Sequence, residues 1–224
     1  MSPPDVVLPR PGATAGAVLL AAAVLAVLWV GVATGSLLAA LDPAIDAWMV
    51  AVRPAGAVTT AIVASEVGQP AVVIGVLVVV AGALGWRSRS WAPVVIAAGG
   101  LVLLGLADHG VKAIVARPRP PLVWHAMPAQ GLSFPSGHSL WSAGTMLLIV
   151  VLVGPVRRRW VVVAAAVLVV VVVSGSRVVA GVHYPSDVLA GWTLAVVADG
   201  LVLLAAGAVT RRVSRVRPRE QPRS

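Results

Sequence analysis

Residues 161–173 run for thirteen positions through valine, alanine and one leucine without a polar side chain, and this block is one of six. In water a valine-rich run reads as strand. In lipid an open strand leaves its backbone donors and acceptors unpaired, so helix is the form such a block takes. The six blocks cover about 15–38, 70–84, 91–116, 136–153, 160–179 and 187–209. A hydrocarbon core of about 30 Å takes about 20 helical residues, so the shorter blocks need extra turns at their ends. Apolar residues make up 59% of the chain and charged residues 11%. Soluble domains carry about 25% charge, so lipid is the solvent. The expected fold class is all-α: a polytopic membrane protein built as a six-transmembrane-helix bundle.

The arginines set the direction. Arg10, the turn Arg87/Arg89, the turn 157–159 and the segment 210–224 fall on one side of the six spans. The positive-inside rule makes that side cytoplasmic. Residues 1–14 then form a cytoplasmic segment, 15–209 the membrane domain, and 210–224 a basic, Arg- and Pro-rich cytoplasmic tail without fixed structure. The first block exceeds the 7–15 apolar residues of a signal-peptide core and reads as a retained span. Trp86, Trp91 and Trp160 fall at cytoplasmic edges, as an aromatic belt requires. The +9 formal charge sits beside apolar blocks, which implies contact with anionic membrane lipids and argues against nucleic acid. The chain has no cysteine, so disulfides, thiolate metal sites and cysteine nucleophiles are excluded.

The segment 39–69 lies on the other side. Asp42 reads as a helix N-cap with Pro43 at the first helical position. Ile45, Trp48, Met49 and Val52 then form one apolar face, expected to rest on the bundle or the interface.

Three further segments face the same outer side. The first holds Lys112, the sole lysine among 17 basic side chains, and Arg117-Pro118-Arg119-Pro120. A proline after Arg117 disfavours helix, so the chain leaves the membrane carrying three cations. They suit either phosphate oxygens or lipid headgroups. The second, Ser133-Phe134-Pro135-Ser136-Gly137-His138, opens the fourth span. A helix N-terminus attracts anions and Gly137 admits close approach, though the same residues also make an ordinary helix start. The third runs from Ser176-Arg177 to His183 and Asp187. Four residues apart, a carboxylate can orient an imidazole and leave its other nitrogen to attack phosphorus, or the acid can serve only as a cap. Convergence of all three on one face favours chemistry. The inventory neutralises and positions a phosphoryl group without a metal.

These segments resemble the signature of the type 2 phosphatidic acid phosphatase family, the lipid phosphate phosphatases. Lys112 with Arg119-Pro120, Pro135-Ser136-Gly137-His138, and Ser176-Arg177 with His183 and Asp187 match its three motifs in order. The resemblance implies that His183 is the nucleophile, that Asp187 orients it, and that His138 serves as acid and then base. It implies that Lys112, Arg119 and Arg177 hold phosphate, with the backbone N–H groups of Ser136 and Gly137. Arg117 occupies an accessory phosphate-binding position. It further implies an active site at the non-cytoplasmic face, no cofactor, and a lipid phosphate substrate. The membrane expected is a bacterial plasma membrane.

The substrate expected first is a polyprenyl diphosphate such as undecaprenyl diphosphate. Phosphatidic acid or phosphatidylglycerol phosphate is the alternative. A non-catalytic phospholipid-binding or transport protein would not need His183 with Asp187. A phosphotransferase shares the site, and haloperoxidases share the anion site in soluble proteins. Among the remaining polar residues, Asp108 is one turn from Lys112 and supports it. Asp199 is expected to make a structural contact or carry a proton in mid-span. Glu66 is expected at the outer rim, and His109 and His125 carry no chemistry.

Overall fold

A computed structural model describes residues 6–216. Its α-helices are α1 (Pro11–Thr34), α2 (Leu37–Val52), α3 (Ala55–Val67), α4 (Pro70–Ser88), α5 (Ala92–Val115), α6 (Gly137–Val153), α7 (Arg159–Val179) and α8 (Pro185–Val216), with a 3-10 turn at Leu122–Trp124. No strand occurs among the described residues. Proline opens several helices, where its missing N–H costs nothing: Pro11 in α1, Pro70 in α4 and Pro93 in α5. Gly35, at φ 63°, ends α1 in the left-handed conformation that glycine adopts without strain.

Six helices form the membrane bundle: α1, α4, α5, α6, α7 and α8. Five are long and apolar enough to cross a bilayer, and α6 is an apolar helix of 17 residues. At 1.5 Å per residue α6 spans about 26 Å, so its ends lie close to the bilayer edges. It packs against α4, α5, α7 and α8 and so forms the centre of the bundle. Leu77, Leu104, Leu140 and Leu148 fill the interior. Connectivity brings the N-termini of α6 and α8 and the C-termini of α5 and α7 to one end. Arg87, Arg89 and residues 157–159 lie at the other, with Trp86, Trp91 and Trp160 exposed there.

At the site end α8 meets the first turn of α6 very closely. A Cβ on Gly191 would stand 2.9 Å from both the Ser136 carbonyl oxygen and the Leu140 nitrogen. Gly181, at φ 67°, turns the chain between α7 and α8, and its missing side chain leaves room for the Trp124 backbone.

Two sequence expectations need correction. First, Asp42 is not an N-cap: α2 begins at Leu37 and carries Pro43 inside it. Asp42 and Asp46 are buried, whereas Ile45, Trp48 and Val52 are exposed. The face that packs inward is therefore the acidic one. The helix turned because the Asp42 carboxylate finds Arg117 and Ser186 inside, while apolar side chains lose nothing facing lipid. At Arg53-Pro54 the chain bends sharply into α3, with 118° between the two helices. Arg53 pins that corner, donating to the carbonyls of Val179 (2.6 Å) and Trp124 (2.8 Å). The α2–α3 pair thus lies at the site end, outside the six spans.

Second, α8 continues to Val216, so helix replaces the expected unstructured tail over 210–216. Residues 1–5 and 217–224 lie outside the described residues. The first span also shifts, running over Pro11–Thr34 because Gly35 stops it.

Candidate active site

His183 follows the Gly181 turn and is 2% exposed. Its Nδ1 lies 2.9 Å from the Ser133 carbonyl oxygen. A carbonyl only accepts, so Nδ1 carries the proton and Nε2 holds the free lone pair. Arg119 Nη1 donates to that nitrogen at 2.8 Å. Burial pushes the imidazole pKa down to about 4; the nearby Asp187 carboxylate opposes the shift, and Arg119 and Arg177 add to it. His183 is thus a neutral imidazole with one reactive nitrogen throughout the neutral range.

Asp187 opens α8 but is not the nearest partner of His183. Its Oδ2 lies 3.5 Å from Nδ1, farther than the Ser133 oxygen. The carboxylate instead accepts from Ser133 Oγ, from the Tyr184 amide at 2.9 Å, and from Arg117 Nη1 at 2.7 Å. It fixes the segment that carries His183 and also acts on the ring by charge.

Arg117 is committed to the scaffold. Besides Asp187 it donates to Ser186 Oγ and, through Nη2, to Asp42, both at 2.8 Å. Its guanidinium lies 4.1 Å from the Tyr184 ring centroid. Burial works to lower its pKa, but Asp187 and Asp42 more than offset this and raise it. The accessory phosphate-binding role expected for Arg117 does not fit these contacts, because its donors already face carboxylates. Asp42 and Ser133 were not foreseen as supporting groups. Asp42 also accepts from the Ser186 amide at 3.1 Å and from the Ser186 hydroxyl.

Arg177 is the opposite case. It is 3% exposed, its Nε has no hydrogen-bond partner, and Nη1 reaches only the Met127 sulfur at 3.4 Å. A buried guanidinium costs several kcal/mol of desolvation unless an anion meets it, so this one is poised for a ligand. Arg119 is intermediate. It donates to the carbonyls of Gln130 and Gly131, and to that of Val182 at 2.9 Å, yet one N–H points at His183.

The N-terminus of α6 completes the cluster. The Ser136 amide donates to the Asp187 carbonyl at 3.0 Å, so it is not free for phosphate as the sequence reading expected. The amide of Gly137, at the first residue of α6, is among the donors without an intrahelical acceptor. Lys112 Nζ lies 3.5 Å from where a Cβ on Gly137 would stand, and it donates to Asp108. His138 follows Gly137; its ring lies near the Ser65 backbone and feels the charges of Arg177, His183 and Arg119. Thus α3 reaches the pocket, with Ser65 Oγ 2.8 Å from Ser176 Oγ and Glu66 close enough to act on Arg177.

The structure therefore brings His138, His183, Lys112, Arg119, Arg177 and Gly137 to one end of the bundle. Ser136, Asp187 and Arg117 support them from behind. His109 and His125 bond carbonyls locally, at Gly105 and Pro120. Of the two roles expected for Asp199, the polar contact is missing, since neither carboxyl oxygen has a partner among the described residues, and the protonated acid is the alternative left. No group of three or more His, Cys, Asp or Glu residues suited to a metal ion occurs among them. Farther down the bundle an apolar groove of about 360 Å³ lies among α6, α7 and α8, lined by Ala143, Val150, Val163, Val167 and Trp192.

In sequence the chain matches no curated protein. In fold it is similar to a crystal structure described as the first transmembrane PAP2 type phosphatidylglycerolphosphate phosphatase from Bacillus subtilis. The TM-score is 0.67, with 23% identity, covering 86% of this chain and 97% of that one. The sequence model of the PAP2 superfamily matches residues 93–211, more than half of the chain and all three of the motif segments, and the protein belongs to that superfamily.

Proposed function

We propose that this membrane protein is a phosphatase that removes phosphate from a lipid-borne phosphomonoester or pyrophosphate through a phosphohistidine intermediate. One observation carries the reading. A neutral, buried imidazole offers Nε2 toward cations, and one of these, Arg177, is buried with its Nε unbonded, Glu66 acting on it by charge without a hydrogen bond. A phosphate supplies what Arg177 lacks and takes the Arg119 N–H that now caps Nε2.

In the first step Nε2 attacks phosphorus and the bond from phosphorus to the leaving oxygen breaks. His138 gives that oxygen a proton. In the second step His138 takes a proton from water, the water oxygen attacks phosphorus, and the P–N bond pair returns to Nε2. Lys112, Arg119, Arg177 and the Gly137 amide neutralise the equatorial oxygens. Asp187 and the Ser133 carbonyl keep the proton on Nδ1 and stabilise the imidazole as positive charge develops. Every charge is met by this chain's own side chains, which supports turnover without a metal.

The arginine-rich end is cytoplasmic by the positive-inside rule, so the pocket opens on the outer face of a bacterial plasma membrane. The lipid tail is assigned to the apolar groove among α6, α7 and α8. Its upper end at Ala143 lies five residues from His138, about 7.5 Å along the helix. A polyprenyl diphosphate is the first substrate class. The activity in the description of the similar structure supports phosphatidylglycerol phosphate as a second.

The test is phosphate release from prenyl diphosphate, phosphatidylglycerol phosphate and phosphatidate by detergent-purified protein, with and without EDTA. Release that survives EDTA and collapses in His183→Ala is expected. Full activity in His183→Ala removes the mechanism, and loss with EDTA removes metal independence.

A further inference from the structure

Asp46 is a buried acid at the site end that the mechanism does not use. It sits one turn after Asp42 on α2 and is 0% exposed, with neither carboxyl oxygen bonded to any partner. The i, i+4 spacing aims both acids at the same side. There they meet Arg117, which already holds Asp42 at 2.8 Å and Asp187 at 2.7 Å.

The charge count of this cluster is the difficulty. Three carboxylates would face one guanidinium in a buried site. Two of them are fully hydrogen-bonded and suited to the ionised form. The third has no donor at all. An ionised carboxylate buried without a donor costs far more than a neutral acid, and two like charges nearby raise that cost.

Among the described residues Arg117 is the cation that acts on Asp46. Tyr184 is the remaining ionisable neighbour, and it feels Asp46 along with Arg117, Asp42 and Asp187. From α1 no charged side chain is available, because Pro11–Thr34 contains none. From α7 the ionisable residues are Arg159, at the far end, and Arg177, which faces the phosphate pocket. Arg53, at the end of α2, is spent on two carbonyls.

We propose that Asp46 is a positioning residue that carries a proton in the working protein. Its ionisation adds a third negative charge that competes for Arg117. Arg117 then loosens from Asp187, and the Tyr184–Asp187 turn that carries His183 loses its anchor. Asp46 acts through this chain of contacts and touches no substrate. Its environment agrees: burial pushes the carboxyl up to about 7, Asp42 and Asp187 add to the shift, and Arg117 opposes it.

The stability consequence has a definite sign. Between the ordinary value of 3.8 and about 7, the folded protein keeps a proton that the unfolded chain has released. Stability therefore falls as pH rises through that window. The test compares wild type with Asp46→Asn and Asp46→Leu, both of which lack the titration. Tm is measured from pH 4 to 8, and kcat from pH 5 to 9. Both variants are expected to fold and to remove the downward slope of Tm seen as the difference from wild type. Asp46→Asn is also expected to abolish an alkaline fall in wild-type kcat of roughly tenfold. The positioning role rests on the phosphatase reading; the Tm comparison does not, and it stands if no substrate is turned over. Failure of both variants to fold, or Tm profiles parallel to wild type, overturns the proton on Asp46. An alkaline fall that is absent in wild type, or unchanged in Asp46→Asn, overturns its hold on His183.

Discussion

Arg117 and Arg177 lie at the same end of the bundle as His183 and are almost equally buried, at 9% and 3% exposure, yet their surroundings are opposite. Arg117 meets two carboxylates, a serine hydroxyl and a tyrosine face. Arg177 meets a thioether and leaves its Nε bare. The first arginine is completed by the protein and holds the backbone of the site in register. The second is left incomplete, so burial that weakens the fold becomes binding energy when an anion arrives. Catalysis of this kind needs both: a rigid rear wall and a front that is satisfied only with phosphate in place.

The contrast can be broken at several points. The largest effect is expected from the proposed nucleophile. His183→Ala should lower kcat by about 10⁶-fold, the usual scale for losing a covalent nucleophile, with phosphate release as the readout. Arg117→Ala comes next. It strands Asp42 and Asp187 in a buried site, and a loss of about 3–5 kcal/mol in denaturant unfolding is expected. Arg177→Ala should do the reverse. It is expected to cost about 10²–10³-fold in kcat/KM while leaving Tm unchanged or higher, since it removes a buried charge that lacks a partner. A fall in Tm as large as that of Arg117→Ala would erase the distinction between the two arginines.

Titration sharpens the same comparison. In the proposed mechanism the attacking form of His183 is the neutral ring, and burial lowers its pKa to about 4. The acid limb of kcat/KM should therefore fall near pH 4 and not near the ordinary 6.5. The smallest effect is expected in the groove. Val167→Trp fills space between α7 and α8 from the lipid side and should raise KM for long-tailed lipid phosphate roughly fivefold. A short-chain phosphate ester should be hydrolysed as before.

The bundle was legible because lipid makes its demand locally: apolar blocks separated by arginine-bearing turns already mark the spans, though the stop at Gly35 was read through. The cluster of cations and histidines at one end was legible because its residues come in short segments whose ends topology brings together. What the sequence hid depends on distant partners. Asp42-Pro43 has every local mark of a helix start, but its carboxylate is drawn inward by Arg117, 75 residues away. The Ser136 amide looked free at a helix N-terminus until the Asp187 carbonyl took it. The acceptor that sets the His183 tautomer is a backbone carbonyl, which no side-chain pattern reports. A pair of acids four apart in α2, Asp42 and Asp46, was the one available sign that this helix faces inward with its polar side.

The most direct test of the central claim is chemical. Protein mixed with radiolabelled lipid phosphate is quenched in alkali during turnover and mapped by peptide. A label that is stable to alkali, labile to acid and confined to His183 is predicted, and it should vanish in His183→Ala. Turnover without any bound label, or label carried by His138, would contradict the account.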